Sequence, residues 1–442
     1  MKTYSTTSVF IRSLSLFKVV SIALSAISPT TSVFLVYGFC LQEAGNKIVT
    51  AFTIGACIAI SMAFCYAELG VLFPRTGGAY SIISSALGPS IGYGSSVIFI
   101  SLGIIISSTF IDAAADYLHS LISYLPVYTI ELLFIGLITL LALGKISESS
   151  IVASFMVFIE LSVIVIFTVG GFFLNGNRLG NLIVDNVNIF SFNSVGMQGV
   201  LLAIVPALFA FNGYDWPLYF SEEIKDPQKN LPKAVLIAVF LAVLIEILAI
   251  TSATISIDDI SRILRFSDPL VIITKSIFGN MGELFLISGV IVAMFDAALS
   301  SNLAFSRVYL DMARNNIWPG SINHVMSSTN RNNVPKWSLV LIGICNFFVC
   351  VIILVDVLIN IVGIEILIIY LLIVISSGYT RLHRDCSNDR FMMPLWPLMP
   401  IIAFFGIIFA IYNQPSILVV TIFSVFFIFV AYDFYFRRKY SI

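Results

Sequence analysis

Charge is what this sequence has least of. Charged residues make up 11% of its 442 positions, where a soluble domain carries about 25%. With 59% hydrophobic residues and a mean hydropathy of +1.02, one water-facing core cannot hide the apolar surface. The medium this implies is lipid.

Other shortages exclude further classes. A net charge of −1 leaves no basic stripe to neutralise phosphates, so a nucleic-acid partner is not expected. Six cysteines lie scattered, mostly in apolar runs, with no CxxC and no cysteine–histidine pair at zinc spacing, which supports neither a disulfide framework nor a metal site. Only three histidines are present. His119, His324 and His383 stand far apart, so GPSIG at Gly88–Gly92 has no base to make it a nucleophile elbow. No HExxH, P-loop or dinucleotide fingerprint occurs, and neither an enzyme nor an ATP-driven pump is expected.

What is there is a succession of long apolar runs. A spanning helix needs about 20 such residues, and the runs predict twelve spans: 17–40, 48–70, 91–116, 127–145, 149–173, 199–220, 233–255, 284–312, 337–356, 358–380, 396–413 and 416–436. The first run is too long for a signal peptide and is read as a retained span. Placing both termini inside leaves Lys47, Arg178, Arg262, Arg265 and Lys275 outside, and the other eighteen of the 23 Lys and Arg inside. By the positive-inside rule both termini are expected on the cytoplasmic side of the cell membrane.

Two spans carry helix breakers. The first reads SAISPTTSVF, with Pro29 among Ser28, Thr30, Thr31 and Ser32; the sixth reads PALFAFNGYDWP, with Asn212-Gly213 between Pro206 and Pro217. Proline removes a donor and glycine loosens its turn. Irregular backbone survives at membrane depth only beside protein or a watery cavity. Two interrupted helices, each opening a block of five spans, match the pattern of an inverted-repeat transporter.

Three tracts then carry a family resemblance: YAELGVLFPRTGGAY (Tyr66–Tyr80), FNGYDWPLYFSEEIKDPQKNLPKAV (Phe211–Val235), and SRVYLDMARNNIWPGSINHV (Ser306–Val325) followed by NNVP (Asn332–Pro335). In this order, among these spans, the chain resembles the amino acid–polyamine–organocation superfamily of amino acid permeases. The resemblance implies an all-α membrane protein of the leucine-transporter arrangement. It would have a first repeat over 17–173, an inverted second over 199–380 and two peripheral helices over 396–436. It also implies that a substrate carboxylate sits at Ser28, Pro29, Thr30, Thr31 and Ser32. The substrate amine would face carbonyls of Phe209, Ala210, Phe211, Asn212 and Gly213, with Phe209 as an aromatic lid and Asp215 as an acidic gate. Two departures stand out: the usual first-span glycine pair is PTTS, and the lysine of proton-coupled relatives is replaced by Glu160.

Acids inside spans are expensive and are read as functional first. Glu160 suits a protonatable coupling group, against the blander reading of a neutral acid held between helices. Asp296, with Ser300 and Ser301, suits a coupling Na+ by its oxygen ligands. Glu246 and Glu365 are expected to make structural hydrogen bonds, Glu68 to anchor the adjacent loop, Asp112 to reach the interface, and Glu222–Asp226 to be a solvated loop or part of an inner gate. No cofactor beyond a coupling H+ or Na+ is expected. Residues 117–126 lack cysteine, so no disulfide-linked heavy subunit is expected either. The function expected is secondary active transport of an amino acid by alternating access. A polyamine or other amine transporter, or a solute sensor on the same scaffold, is the alternative.

Overall fold

Lipid offers peptide groups no hydrogen-bond partner, so a chain this apolar satisfies them within helices. The computed structural model describes residues 10–144, 146–187, 195–264, 269–353, 355–383 and 390–437. Of the residues in the charge count, Lys2, Lys145, Arg265, Arg384, Arg438 and Lys439 lie outside the described residues.

The chain order is α1 (Leu16–Ile27), α2 (Pro29–Ala44), α3 (Ile48–Leu72), α4 (Gly78–Leu87), α5 (Pro89–Leu121), α6 (Val127–Ala142), α7 (Ile146–Asn175), α8 (Leu179–Val187) and α9 (Val195–Ala210). After a 3-10 turn at Trp216–Phe220 come α10 (Pro227–Ile255), α11 (Ile260–Ile263), α12 (Pro269–Arg314), α13 (Gly320–Met326), α14 (Lys336–Ile352), α15 (Val355–His383), α16 (Leu398–Tyr412) and α17 (Ser416–Tyr432). Among the described residues the only β pairing is a single parallel bridge between Leu14 and Ile224.

Among the described residues seven helical stretches are long and apolar enough to cross a membrane, one of them running from Leu16 to Leu72 through two expected spans. Shorter apolar helices at Val127–Ala142, Met197–Ala210, Lys336–Ile352 and Leu398–Tyr412 sit where spans four, six, nine and eleven were expected. Burial sorts centre from rim. The apolar windows of α5 and of Val357–His383 are 72% buried, whereas that of Ser416–Tyr435 is 11% buried. On α17, Phe427 and Ile428 are more than half exposed, which is stable only against lipid tails.

The sixth span is interrupted at the Asn212-Gly213 breaker: α9 stops at Ala210 and the chain turns at 211–215. Pro206 does not mark that break, because it stays inside α9. A short helix from Pro269 precedes the eighth span and ends at Gly279, whose backbone is not helical (φ 69°, ψ −171°); the span follows, a few residues before its expected start at 284. The segment after Pro74 leads into a helix that lies between the expected second and third spans, α4.

The two broken spans lie against each other. Gly213 has φ +119°, and a Cβ there would stand 2.7 Å from the Ile27 nitrogen and 2.8 Å from the Ala26 carbonyl carbon. Only a residue without a side chain lets the turn after α9 touch the end of α1. Gly213→Ala is expected to destabilise the fold by on the order of 3 kcal/mol, combining left-handed strain with overpacking. Thermal unfolding in detergent measures this, and a wild-type transition would show that the two breaks do not depend on this contact.

Candidate substrate site

The first break is written in one dipeptide. The residue before a proline is disfavoured in the α region, and Ser28 sits at φ 45°, ψ 73°. Pro29 then opens α2 at its first position, where a missing N–H costs nothing. The Ser28 N–H still closes α1 on Leu24 O at 2.7 Å, and the Ser32 N–H bonds Ser28 O at 2.8 Å.

The start of α2 is capped from another helix. Glu160 of α7, fully buried, accepts from the Thr30 N–H at 3.0 Å and from the Ser28 hydroxyl at 2.8 Å, both on Oε1. Its Oε2 has no partner. The Thr30 hydroxyl donates to the Glu160 carbonyl at 3.1 Å, the Ser32 hydroxyl to Ile27 O at 2.7 Å, and Thr31 Oγ1 stands 2.7 Å from Ser28 Oγ. A carboxylate at a helix N-terminus meets both orphan N–H groups and the positive end of the helix dipole.

Asp296 and Ser300 reach the same region through Ser25. The Ser25 hydroxyl pairs with that of Ser300 and lies 3.4 Å from the Asp296 carbonyl oxygen. Ser301 does not join them, since its hydroxyl bonds Ala298 O of its own helix at 2.8 Å. The Asp296 carboxylate is fully buried, with the Ser25 hydroxyl as a polar neighbour. Glu246 of α10 is also fully buried with both oxygens unpartnered, which corrects the expected structural hydrogen bond. Both acids lie within electrostatic reach of Glu160.

The second break turns its groups elsewhere. The Asn212 N–H bonds Phe209 O at 3.0 Å and the Trp216 N–H bonds Gly213 O at 3.0 Å. The Asn212 amide donates to the Tyr370 hydroxyl at 2.9 Å, beside a cluster in which Tyr66, Tyr214 and Tyr370 lie 6.0–6.3 Å apart. Asp215 accepts from the Tyr219 hydroxyl at 3.1 Å and keeps one oxygen unpartnered. Ala210 and Phe209 are buried in the last turn of α9. Phe211 packs edge-on to Phe52 of α3, at 5.8 Å between centroids.

The two faces of the molecule differ. One holds a cavity of about 910 Å³ lined by Phe34, Leu35, Asp116, Tyr117 and Glu283 among others. Phe34 stands one turn, ~6 Å, beyond Thr30 along α2. The other face, which carries the N-terminal strap, has a smaller cavity of about 390 Å³ lined by Arg12, Pro74, Ser221 and Glu222 among others, and is tied together by backbone bonds and ion pairs. Leu14 is bonded to Glu223 O and to the Lys225 N–H. Arg307 of α12 and Glu223, at 0% and 2% exposure, pair at 2.5 Å, with the guanidinium 4.5 Å over Phe220 and 5.8 Å over Phe10. Arg314 holds Glu222 at 3.0 Å, and Ser81 donates to Asp311 at 2.7 Å. Gly78 brings α4 against the Tyr219 ring, where a Cβ would be 1.9 Å away. All three tracts that carried the resemblance meet here, which the sequence did not reveal. Nor is Glu222–Asp226 simply a solvated loop, because two of its acids are ion-paired and one of those is buried. Rather than the adjacent loop expected for it, Glu68 holds Arg381 of α15 through both oxygens and the Met393 N–H at 2.7 Å. Asp112 is buried beside Glu131, short of the interface expected for it.

Removing one member of a buried ion pair costs about 3–5 kcal/mol, whereas replacing both by apolar residues is often neutral. Glu223→Gln is therefore expected to lower thermal stability sharply, and Glu223→Leu with Arg307→Met to recover most of it. Equal losses in the two would show that the pair does not hold this face.

The helical arrangement is similar to that of a solved structure, MhsT in complex with L-phenylalanine. The TM-score is 0.59 at 13% identity, covering 90% of this chain and 98% of that one, and the fold is the leucine-transporter type. The methylthioribose transporter of Bacillus subtilis (strain 168) is 24% identical over 408 residues, covering 88% of this chain and 85% of that protein. The branched-chain amino acid permease BcaP of the same organism is 22% identical over 436 residues, covering 93% and 90%. The amino acid permease family model matches residues 14–436, and this multi-pass membrane chain belongs to that family of transporters.

Proposed function

We propose that the chain is a secondary active transporter that moves an amino acid or a related amine across the cell membrane by alternating access. The observation that carries this reading is the contact between two unwound spans, Gly213 against Ala26 and Ile27, beside a helix start whose N–H groups can serve an anion or a side-chain carboxylate. The printed names of relatives include a methylthioribose transporter, a branched-chain amino acid permease and a serine/threonine exchanger, so the family does not by itself fix the solute.

In this reading twelve spans cross the bilayer, both termini are cytoplasmic, and the face bearing Arg307 and Glu223 is the inner one. The cavity lined by Phe34 and Asp116 then opens outward. Accessibility alternates when the inner ties part and the outer cavity closes. Glu160 is the coupling group. As a carboxylate it holds the Thr30 N–H and the Ser28 hydroxyl, and protonation removes the charge that the start of α2 favours. Asp296 with Ser300 is the site at which Na+ would act instead, and exchange without net coupling remains open to the same fold.

Uptake of labelled amino acids and amines into proteoliposomes under imposed pH or Na+ gradients tests the reading. Accumulation or counterflow of at least one solute is expected; none under either gradient or in exchange would overturn it. In the same vesicles, Glu160→Gln is expected to cut proton-driven accumulation by at least tenfold while counterflow persists. An unchanged pH dependence would remove Glu160 from coupling.

A further inference from the structure

The position implied for a substrate carboxylate is already filled by one belonging to the protein. Glu160 Oε1 takes the Thr30 N–H at 3.0 Å and the Ser28 hydroxyl at 2.8 Å. Little of the first turn of α2 is left for a second anion. Pro29 has no N–H, and the Ser32 N–H is bonded to Ser28 O. Two hydroxyls are committed as donors as well, Thr30 to the Glu160 carbonyl and Ser32 to Ile27 O, while Thr31 accepts from Ser28. Free donors are left on Thr31 alone, and one residue does not make a carboxylate cradle.

Charge points the same way. Glu160, Glu246 and Asp296 are fully buried and electrostatically coupled, and each keeps at least one oxygen without a hydrogen-bond partner. Among the described residues Arg307 is the only buried Lys or Arg. It is bound to Glu223 and lies eleven residues beyond Asp296, ~16 Å along α12. A guest bringing a carboxylate would find acids there and no buried cation to pair with it, so its charge would go uncompensated. A guest bringing an ammonium group would meet acceptors that nothing else occupies.

We propose that Glu160 is a tethered stand-in for a substrate carboxylate and a specificity-determining residue, selecting amines that lack a carboxylate over the amino acids from which they derive. This rests on the transport reading above, and it concerns equilibrium selectivity rather than coupling. The side chain satisfies the α2 start that a substrate carboxylate would otherwise satisfy, so the guest is held by its cationic end.

The test is equilibrium binding to the full chain in nanodiscs with matched pairs: leucine and isopentylamine, phenylalanine and phenethylamine, lysine and cadaverine, arginine and agmatine. For at least one pair the wild type is expected to bind the amine at least tenfold more tightly than its parent. Glu160→Ala, which vacates the α2 start, is expected to reduce that ratio at least tenfold by strengthening amino acid binding. Glu160→Gln, which keeps an acceptor for Thr30 but drops the charge, is expected to fall between the two and serves if the alanine variant does not fold. A wild type that binds the amino acid of every responsive pair as well as its amine would overturn the inference and leave the transport reading intact. So would an amine preference untouched by both variants. Binding of none of the eight compounds, together with no transport in vesicles, would overturn both.

Discussion

Peptide groups that leave a helix inside a membrane must find their partners in the protein, and this structure is organised around meeting that demand at one place. The chain breaks at Ser28 because Pro29 follows it, and again after Ala210 because Asn212-Gly213 cannot hold a helical turn there. The first break is met by a carboxylate from α7 and by serine and threonine hydroxyls, the second by a tyrosine hydroxyl and by short-range turns. Neither solution is stable alone at that depth. Gly213 lets them share a wall.

That shared wall explains why the ion-pair network sits where it does. The chain leaving the second break runs through Trp216–Phe220 into Glu222 and Glu223, and these meet Arg314 and Arg307 at the far end of α12. The Gly77-Gly78 turn, with Ser81 close behind it, comes in from α4 to meet Tyr219 and Asp311. A buried guanidinium–carboxylate pair is a poor source of net stability but a strict one geometrically, since either member alone is an unmatched charge. Such a pair suits a contact that must be either fully made or fully parted.

Much of this was legible from hydropathy and from the breakers. Long apolar runs mark helices because lipid leaves no alternative, and α3, α5, α7, α10 and α15 begin and end within a few residues of the expected limits. Pro29 gave its break because the steric rule acts on its immediate neighbour. Pro206 misled because a proline inside α9 is tolerated where packed neighbours support the turn. The α4 helix lay outside the expected spans because its ten residues are too few to cross a membrane. The candidate site was legible in which residues it names, not in how they pair. No pattern says that Glu160 reaches back 130 residues to Thr30, that Phe211 turns toward Phe52, or that Glu246 is left without a partner. Those depend on helix rotations fixed by the whole packing.

The single bridge between Leu14 and Ile224 has a mechanical consequence. Two backbone hydrogen bonds staple the strap before α1 to the segment after Phe220, while Gly213 locks the other end of α1 to the turn after α9. Helix α1 and the stretch from Gly213 to Ile224 are thus held together at both ends, so that neither can be displaced without breaking a contact to the other.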